Sequence, residues 1–151
     1  MLINQMSDAA CQDMLNRAKF GRLACMHGGQ PYIVPVSFAY NDHCFYSFSE
    51  LGLKIECMRA NPLVCVQVDE ISTAREWTSV VALGRYEELP DTPEFQEQRM
   101  VAWTIVQRTP NWWQPGSIKL SQPNEKPPPA PVWYRISLNE ITGRQASEPA
   151  A

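Results

Sequence analysis

Tight polar turns frame this chain. Between Phe20 and Phe48, His27-Gly28-Gly29-Gln30 and Asn41-Asp42 separate three apolar stretches, Phe20 to Met26, Pro31 to Tyr40 and His43 to Phe48. Turns of this composition between apolar runs specify antiparallel hairpins, so the succession predicts three strands in a meander. Further on, Leu63 to Asp69 sets Val64, Val66 and Val68 against Cys65 and Gln67, the period-2 alternation of a half-buried strand. Trp77 to Leu89 is long enough to bend around a barrel, with Gly84 at the bend. Val132 to Ser137 reads as a returning strand, Leu138 to Arg144 as a closing turn, and residues from about 145 as a polar tail.

Helices are few. Cys11, Met14, Leu15 and Ala18 recur at helical spacing behind the N-cap candidates Ser7 and Asp8, which predicts a helix over 8–18. A short helix is expected over 53–60, stopped by Asn61-Pro62, and another over 93–106 behind Thr92-Pro93-Glu94. Residues 107–131 hold seven prolines and little periodicity, an irregular excursion from the body of the fold. Six or so strands with two or three helices predict one domain over 1–151, mainly β, built as an antiparallel barrel with helices at its rim.

Composition narrows the function classes. A formal charge of -3 and a pI near 5.4 argue against a nucleic-acid partner, which would need a basic face. The five cysteines form no CxxC pair and fit neither a disulfide framework nor a metal site; most are expected as reduced core thiols. The N-terminus has no charged stretch leading into an apolar run, and nothing approaches a membrane span, so no membrane partner and a cytoplasmic location are expected.

The segment from Phe45 to Asp69 carries the chemistry. Phe45-Tyr46-Ser47-Phe48 has the aromatic density of a strand; Ser47 and Ser49 offer hydroxyls; Gly52 lets the backbone come close just before Lys54 in a new helical turn. Free N–H groups and the dipole at that helix start favour an anion, and the Lys54 ammonium adds to the attraction. Ser47, Ser49, Gly52 and Lys54 together suit a phosphate monoester. The plainer alternative is a solvated lysine paired with Glu50 four residues earlier.

The order of these segments resembles the pyridoxamine 5'-phosphate oxidase-like FMN-binding split barrels, especially the branch that includes nitroimidazole-resistance proteins. The resemblance runs over most of residues 8–144. Its carriers are Gly21-Arg22-Leu23-Ala24, Pro31 to Val36, Phe45-Tyr46-Ser47 through Lys54, Asn61-Pro62-Leu63-Val64-Cys65, Trp77 to Gly84 and Ile141-Thr142-Gly143-Arg144. It implies an antiparallel Greek-key split β-barrel, FMN as the phosphate-bearing cofactor and a homodimer with the flavin at the subunit interface. By position, Ser47 and Lys54 would hold the phosphate. Val34, Pro35 and Val36 would line the ring, and Ser79 and Val80 would approach it from a neighbouring strand or subunit.

The resemblance also implies an oxidoreductase that passes reducing equivalents from NAD(P)H to a small-molecule acceptor. A flavin-binding protein without turnover and a ligand-free interaction dimer are the alternatives. Two positions depart from the family pattern. Leu53 stands where many relatives carry a second basic residue, removing a charge-assisted contact worth about 1.5–3 kcal/mol. Ser47 stands where the nitroimidazole-resistance branch tends to carry histidine, so no titratable group sits there near neutral pH. Trp112 and Trp113 fit either a flap over the flavin ring or a dimer interface. No catalytic acid–base residue is identifiable.

Overall fold

The computed structural model describes residues 1–107 and 130–150. Its strands are β1 (Leu2–Gln5), β2 (Phe20–His27), β3 (Gln30–Ser37), β4 (Ala39–Asn41), β5 (Cys44–Ser49), β6 (Leu63–Thr73), β7 (Glu76–Glu88) and β8 (Val132–Ser147). The helices among the described residues are α1 (Asp8–Arg17), α2 (Leu53–Ala60) and α3 (Gln96–Gln107), the last entered through a 3-10 turn at Pro93–Phe95. All the strands join one antiparallel sheet in the order β3-β2-β6-β7-β8-β5-β4, with β1 added on β8. The fold is mainly β, a split barrel.

The split lies between β3 and β5. No ladder joins them; one hydrogen bond crosses the seam, from the Ser47 hydroxyl to the Ser37 carbonyl at 2.6 Å, while the Phe38 N–H on the Lys19 carbonyl at 3.1 Å extends the β2–β3 pairing. The expected three-strand meander is therefore corrected. The stretch from Pro31 to Tyr40 breaks at Phe38, which is buried, so β3 pairs with β2 while β4 pairs with β5 and β5 with β8. Burying Phe38 in the barrel turns the chain out of the first sheet edge and into the other.

A second correction concerns the end of the chain. Leu138 to Arg144 is no closing turn: β8 continues through it to Ser147, pairing with β5, β7 and β1. A register shift between Leu83 and Gly84 leaves Asn139 without a partner on β7, a bulge that breaks the alternation on which a strand assignment depends. Gly84 is required there, because a Cβ would meet the Ser137 carbonyl oxygen at 2.6 Å. The turn at Gly28 and Gly29 needs glycine for a different reason, positive φ values of 54° and 82°.

One core cluster fills the barrel, with Leu23, Phe45, Ile55, Met58, Val66, Val80 and Tyr134 among its members; Cys11, Met14 and Leu15 of α1 close it. A smaller cluster of Ala39, Tyr46, Leu89, Ala102 and Trp133 lies under α3. Cys57 is buried as expected, whereas Cys65 is only half-buried, because Val64, Val66 and Val68 take the inward positions of β6. Among the described residues no helix is long and apolar enough to cross a membrane.

Candidate functional site

The start of α2 is built differently from the start of α1. Ser7 caps α1, its hydroxyl accepting from the Ala10 N–H at 3.2 Å. Gly52 caps α2 with no side chain to offer, in an extended backbone of φ -171° and ψ -170°. The first N–H groups of α2 therefore face outward without a side-chain acceptor. An added Cβ at Gly52 would meet nothing closer than the Glu50 carbonyl oxygen at 4.0 Å, so this end of the helix is open.

Lys54 stands in this first turn, half-buried. Burial pushes its ammonium below the ordinary lysine value, and it forms no ion pair among the described residues, so the pairing with Glu50 is absent. A desolvated cation without a counter-charge is a cost unless something anionic arrives. The opposite end of α2 is fully occupied. Arg59 Nε donates to Glu88 Oε1 at 2.5 Å, the Tyr86 hydroxyl donates to the same oxygen at 2.8 Å, and the Asn61 N–H closes the last turn on the Cys57 carbonyl.

Both serines are buried and already engaged. Ser47 gives its proton to Ser37 across the seam, and Ser49 gives its own to the Glu50 carbonyl at 2.9 Å. Each hydroxyl would have to redirect that proton to serve an anion. Ser47 lies opposite Tyr134, whose fully buried phenol is pushed up to about 12 by burial, with the Ser47 hydroxyl beside it acting the other way. Ser47 thus ties β5 to the end of β3.

That tie places the β3 segment at the same seam. Val34 is half-buried, Pro35 exposed and Val36 buried, and the strand pairs only with β2, leaving its other edge open. Ser79 and Val80 are not brought here. They sit on β7, three positions from β3 in the sheet, with Val80 packed in the core and Ser79 half-buried on the outer face. Neither residue lies on a strand that neighbours β3. Trp112 and Trp113 lie outside the described residues.

Sequence reasoning missed the clamp of Arg59, Glu88 and Tyr86. Tyr86 and Glu88 share one strand face by their spacing of two, but nothing local shows that α2 ends beside them.

The family model described as pyridoxamine 5'-phosphate oxidase matches residues 7–145. An uncharacterised protein of Rhizobium meliloti is 39% identical over 146 residues, covering 97% of each chain. The crystal structure of an FAD-binding protein from Mesorhizobium loti is 44% identical, with a TM-score of 0.80 over 97% of this chain and 100% of that one. An FAD-binding protein from Mycobacterium smegmatis shares the fold at 17% identity, with a TM-score of 0.69 over 97% of this chain and 100% of that one. A split barrel open between β3 and β5 and a family match over nearly the whole length converge: this chain belongs to the pyridoxamine 5'-phosphate oxidase family.

Proposed function

We propose that the chain binds a flavin nucleotide, FMN, at the seam and works as an oxidoreductase that passes reducing equivalents from NAD(P)H to a small acceptor. The observation that carries this reading is Lys54, a desolvated cation with no counter-ion among the described residues, beside open N–H groups of α2. A phosphate supplies the missing charge and the missing acceptors together. The flavin, when bound, supplies the hydride and electron chemistry.

The residues of the chain bind and orient. Lys54 and the α2 backbone hold the phosphate, with Gly52 leaving room for it, and Ser47 and Ser49 border the site. The backbone of Val34, Pro35 and Val36 faces the ring. The assembly is a homodimer in the cytoplasm, in which β7 of one copy reaches the ring held by the other. The outer sheet face supports this, since Ile33, Leu63, Ile71 and Leu83 are exposed there at 63%, 60%, 68% and 41%.

FAD is the second reading, favoured by the FAD-binding relative at 44% identity. Heat release of the flavin from purified protein followed by mass measurement separates the two. Colourless protein that takes up neither added FMN nor FAD ends the flavin reading. Yellow protein that dithionite reduces but NADH and NADPH do not leaves binding and removes the oxidoreductase.

A further inference from the structure

The turn between β4 and β5 is held from two sides. Asp42 and His43 take its central positions with φ values of 47° and 59°, a left-handed pair that aspartate and histidine tolerate better than most residues. On one side the Leu138 N–H, beside the bulge of β8, donates to the His43 carbonyl at 2.9 Å. On the other, Gln12 of α1 reaches two residues of the hairpin. The Tyr40 hydroxyl donates to Gln12 Oε1, and Gln12 Nε2 stands 3.4 Å from His43 Nδ1. A cavity of about 310 Å³ adjoins the ring, lined by Asp8 and Gln12 of α1, by His43, and by residues 138–141 of β8.

Chemistry gives these contacts a direction. The Gln12 oxygen takes the phenol's proton, so its amide nitrogen, which only donates, faces the imidazole. Nδ1 is then the bare nitrogen of a neutral ring, and the ring's own proton sits on Nε2. Burial pushes the Tyr40 phenol up, with its bonds to Gln12 and the His43 backbone acting the other way, so Tyr40 stays a proton donor throughout the range in which an imidazole titrates. Tyr40 gives to Gln12 and Gln12 gives to His43, each donor with one acceptor.

A proton on Nδ1 breaks that match. It removes the last acceptor and sets a donor against the Gln12 nitrogen. Turning the Gln12 amide over offers the imidazolium an oxygen but takes away the acceptor of the Tyr40 proton. The surroundings of the ring favour a different outcome. Asp8 on α1 and Glu140 on β8 line the same cavity, Asp42 is the neighbour in the turn, and none of the three carboxylates forms an ion pair among the described residues. The other titratable neighbours, Tyr40 and Cys44 on the flanking strands, carry no positive charge in any state, and the cavity lining includes no lysine or arginine among the described residues.

We infer that His43 is a proton-operated switch in the way α1 is held: neutral, its ring is tied to Gln12 and through it to Tyr40; protonated, it leaves Gln12 for the Asp8 and Glu140 carboxylates. The hold on α1 thereby passes from its second turn to its first, and β8 is drawn into it. The switch acts at the entrance to β5, the strand that carries Ser47 to the seam.

The test is nuclear magnetic resonance on the full-length, isotope-labelled protein from about pH 8 to pH 5, the span in which an imidazole titrates. His27→Asn removes the signals of the other histidine. At the upper end the His43 ring is expected as the Nε2–H tautomer, with Overhauser contacts to the Gln12 side chain. On acidification the Gln12 side-chain amide signals should move along the same curve as the His43 ring, and the ring's contacts should pass to Asp8 and Glu140. His43→Asn, which suits the left-handed turn and does not titrate, should leave the Gln12 signals unchanged over this span. Gln12→Glu places a carboxylate where it accepts from Tyr40 and from the charged ring together, so the contact between positions 12 and 43 should persist at acid pH. An Nδ1–H tautomer at the upper end overturns the inference. So do Gln12 signals that ignore the His43 titration, or ring contacts that are the same at both ends of the span.

Discussion

The two ends of α2, an eight-residue helix, are physically opposite. At its C-terminal end Arg59 and Tyr86 both donate to one carboxylate oxygen of Glu88, and Asn61 closes the last turn. At its N-terminal end Gly52 offers no cap and Lys54 has no counter-charge among the described residues. One end is satisfied by the chain, and the other is where the proposed phosphate would bind. A helix anchored at its far end can hold free N–H groups and a cation in fixed positions without collapsing onto them. That is what preorganisation of an anion site requires.

Removing the anchor of the whole helix gives the largest effect. Ile55 and Met58 are fully buried, and Ile55→Ala is expected to cost about 2–5 kcal/mol in chemical denaturation, erasing the difference between the ends along with the fold. Lys54→Ala separates the ends cleanly. FMN affinity is expected to fall between about tenfold and a hundredfold, the worth of a charge-assisted contact. The melting temperature should hold or rise, since a desolvated cation has been removed. A marked loss of stability would mean that Lys54 is a structural residue after all.

The pH dependence sharpens the comparison, because the two ends have opposite signs. Lys54 is held below its ordinary value by burial, so between its folded and unfolded values the unfolded chain binds more protons and stability rises with pH. Phosphate affinity runs the other way, falling as pH rises through the lowered value, and Lys54→Arg should abolish that fall because a guanidinium stays charged. Burial pushes Glu88 up, but hydrogen bonds from Arg59 and Tyr86 outweigh it and hold the carboxyl below its ordinary range. Its contribution is complete above the unfolded carboxylate value and lost as pH falls through the folded one. Glu88→Gln should flatten the acid limb of a melting-temperature profile; an unchanged limb would mean that the clamp is idle.

Gly52→Ala is the smallest change. With open space around the added methyl and an extended backbone, stability should stay within about 0.5 kcal/mol, while FMN affinity drops a few-fold if the phosphate packs against this backbone. Equal affinity would place the phosphate farther out along α2.

Much of this was legible in the residues. Ser7 marked the start of α1, the two turns marked their hairpins, and alternation along β6 named its inward valines. Lys54 at a helix start was legible for the same reason: spacing and residue type are local. The misses were nonlocal. The burial that breaks the chain at Phe38 and the bulge at Asn139 exist only once other strands are in place. Ser47 and Ser49 looked available because their acceptors, the carbonyls of Ser37 and Glu50, are backbone groups that no side-chain pattern reveals. Gln67 read as one polar beat in an alternation, and only its hydrogen bonds to Asp69 and Ser79 give it an orientation.

The long last strand has a consequence for how the chain comes into being. β8 lies between β7 and β5, and its final residues pair with β1, Leu2 against Ser147. While a ribosome is still adding residues before 132, β5 and β7 have no common neighbour and the first strand has none at all. The barrel therefore closes after nearly the whole chain has emerged, through contacts of very large sequence separation, which places it among slow folders whose open strand edges need protection during synthesis.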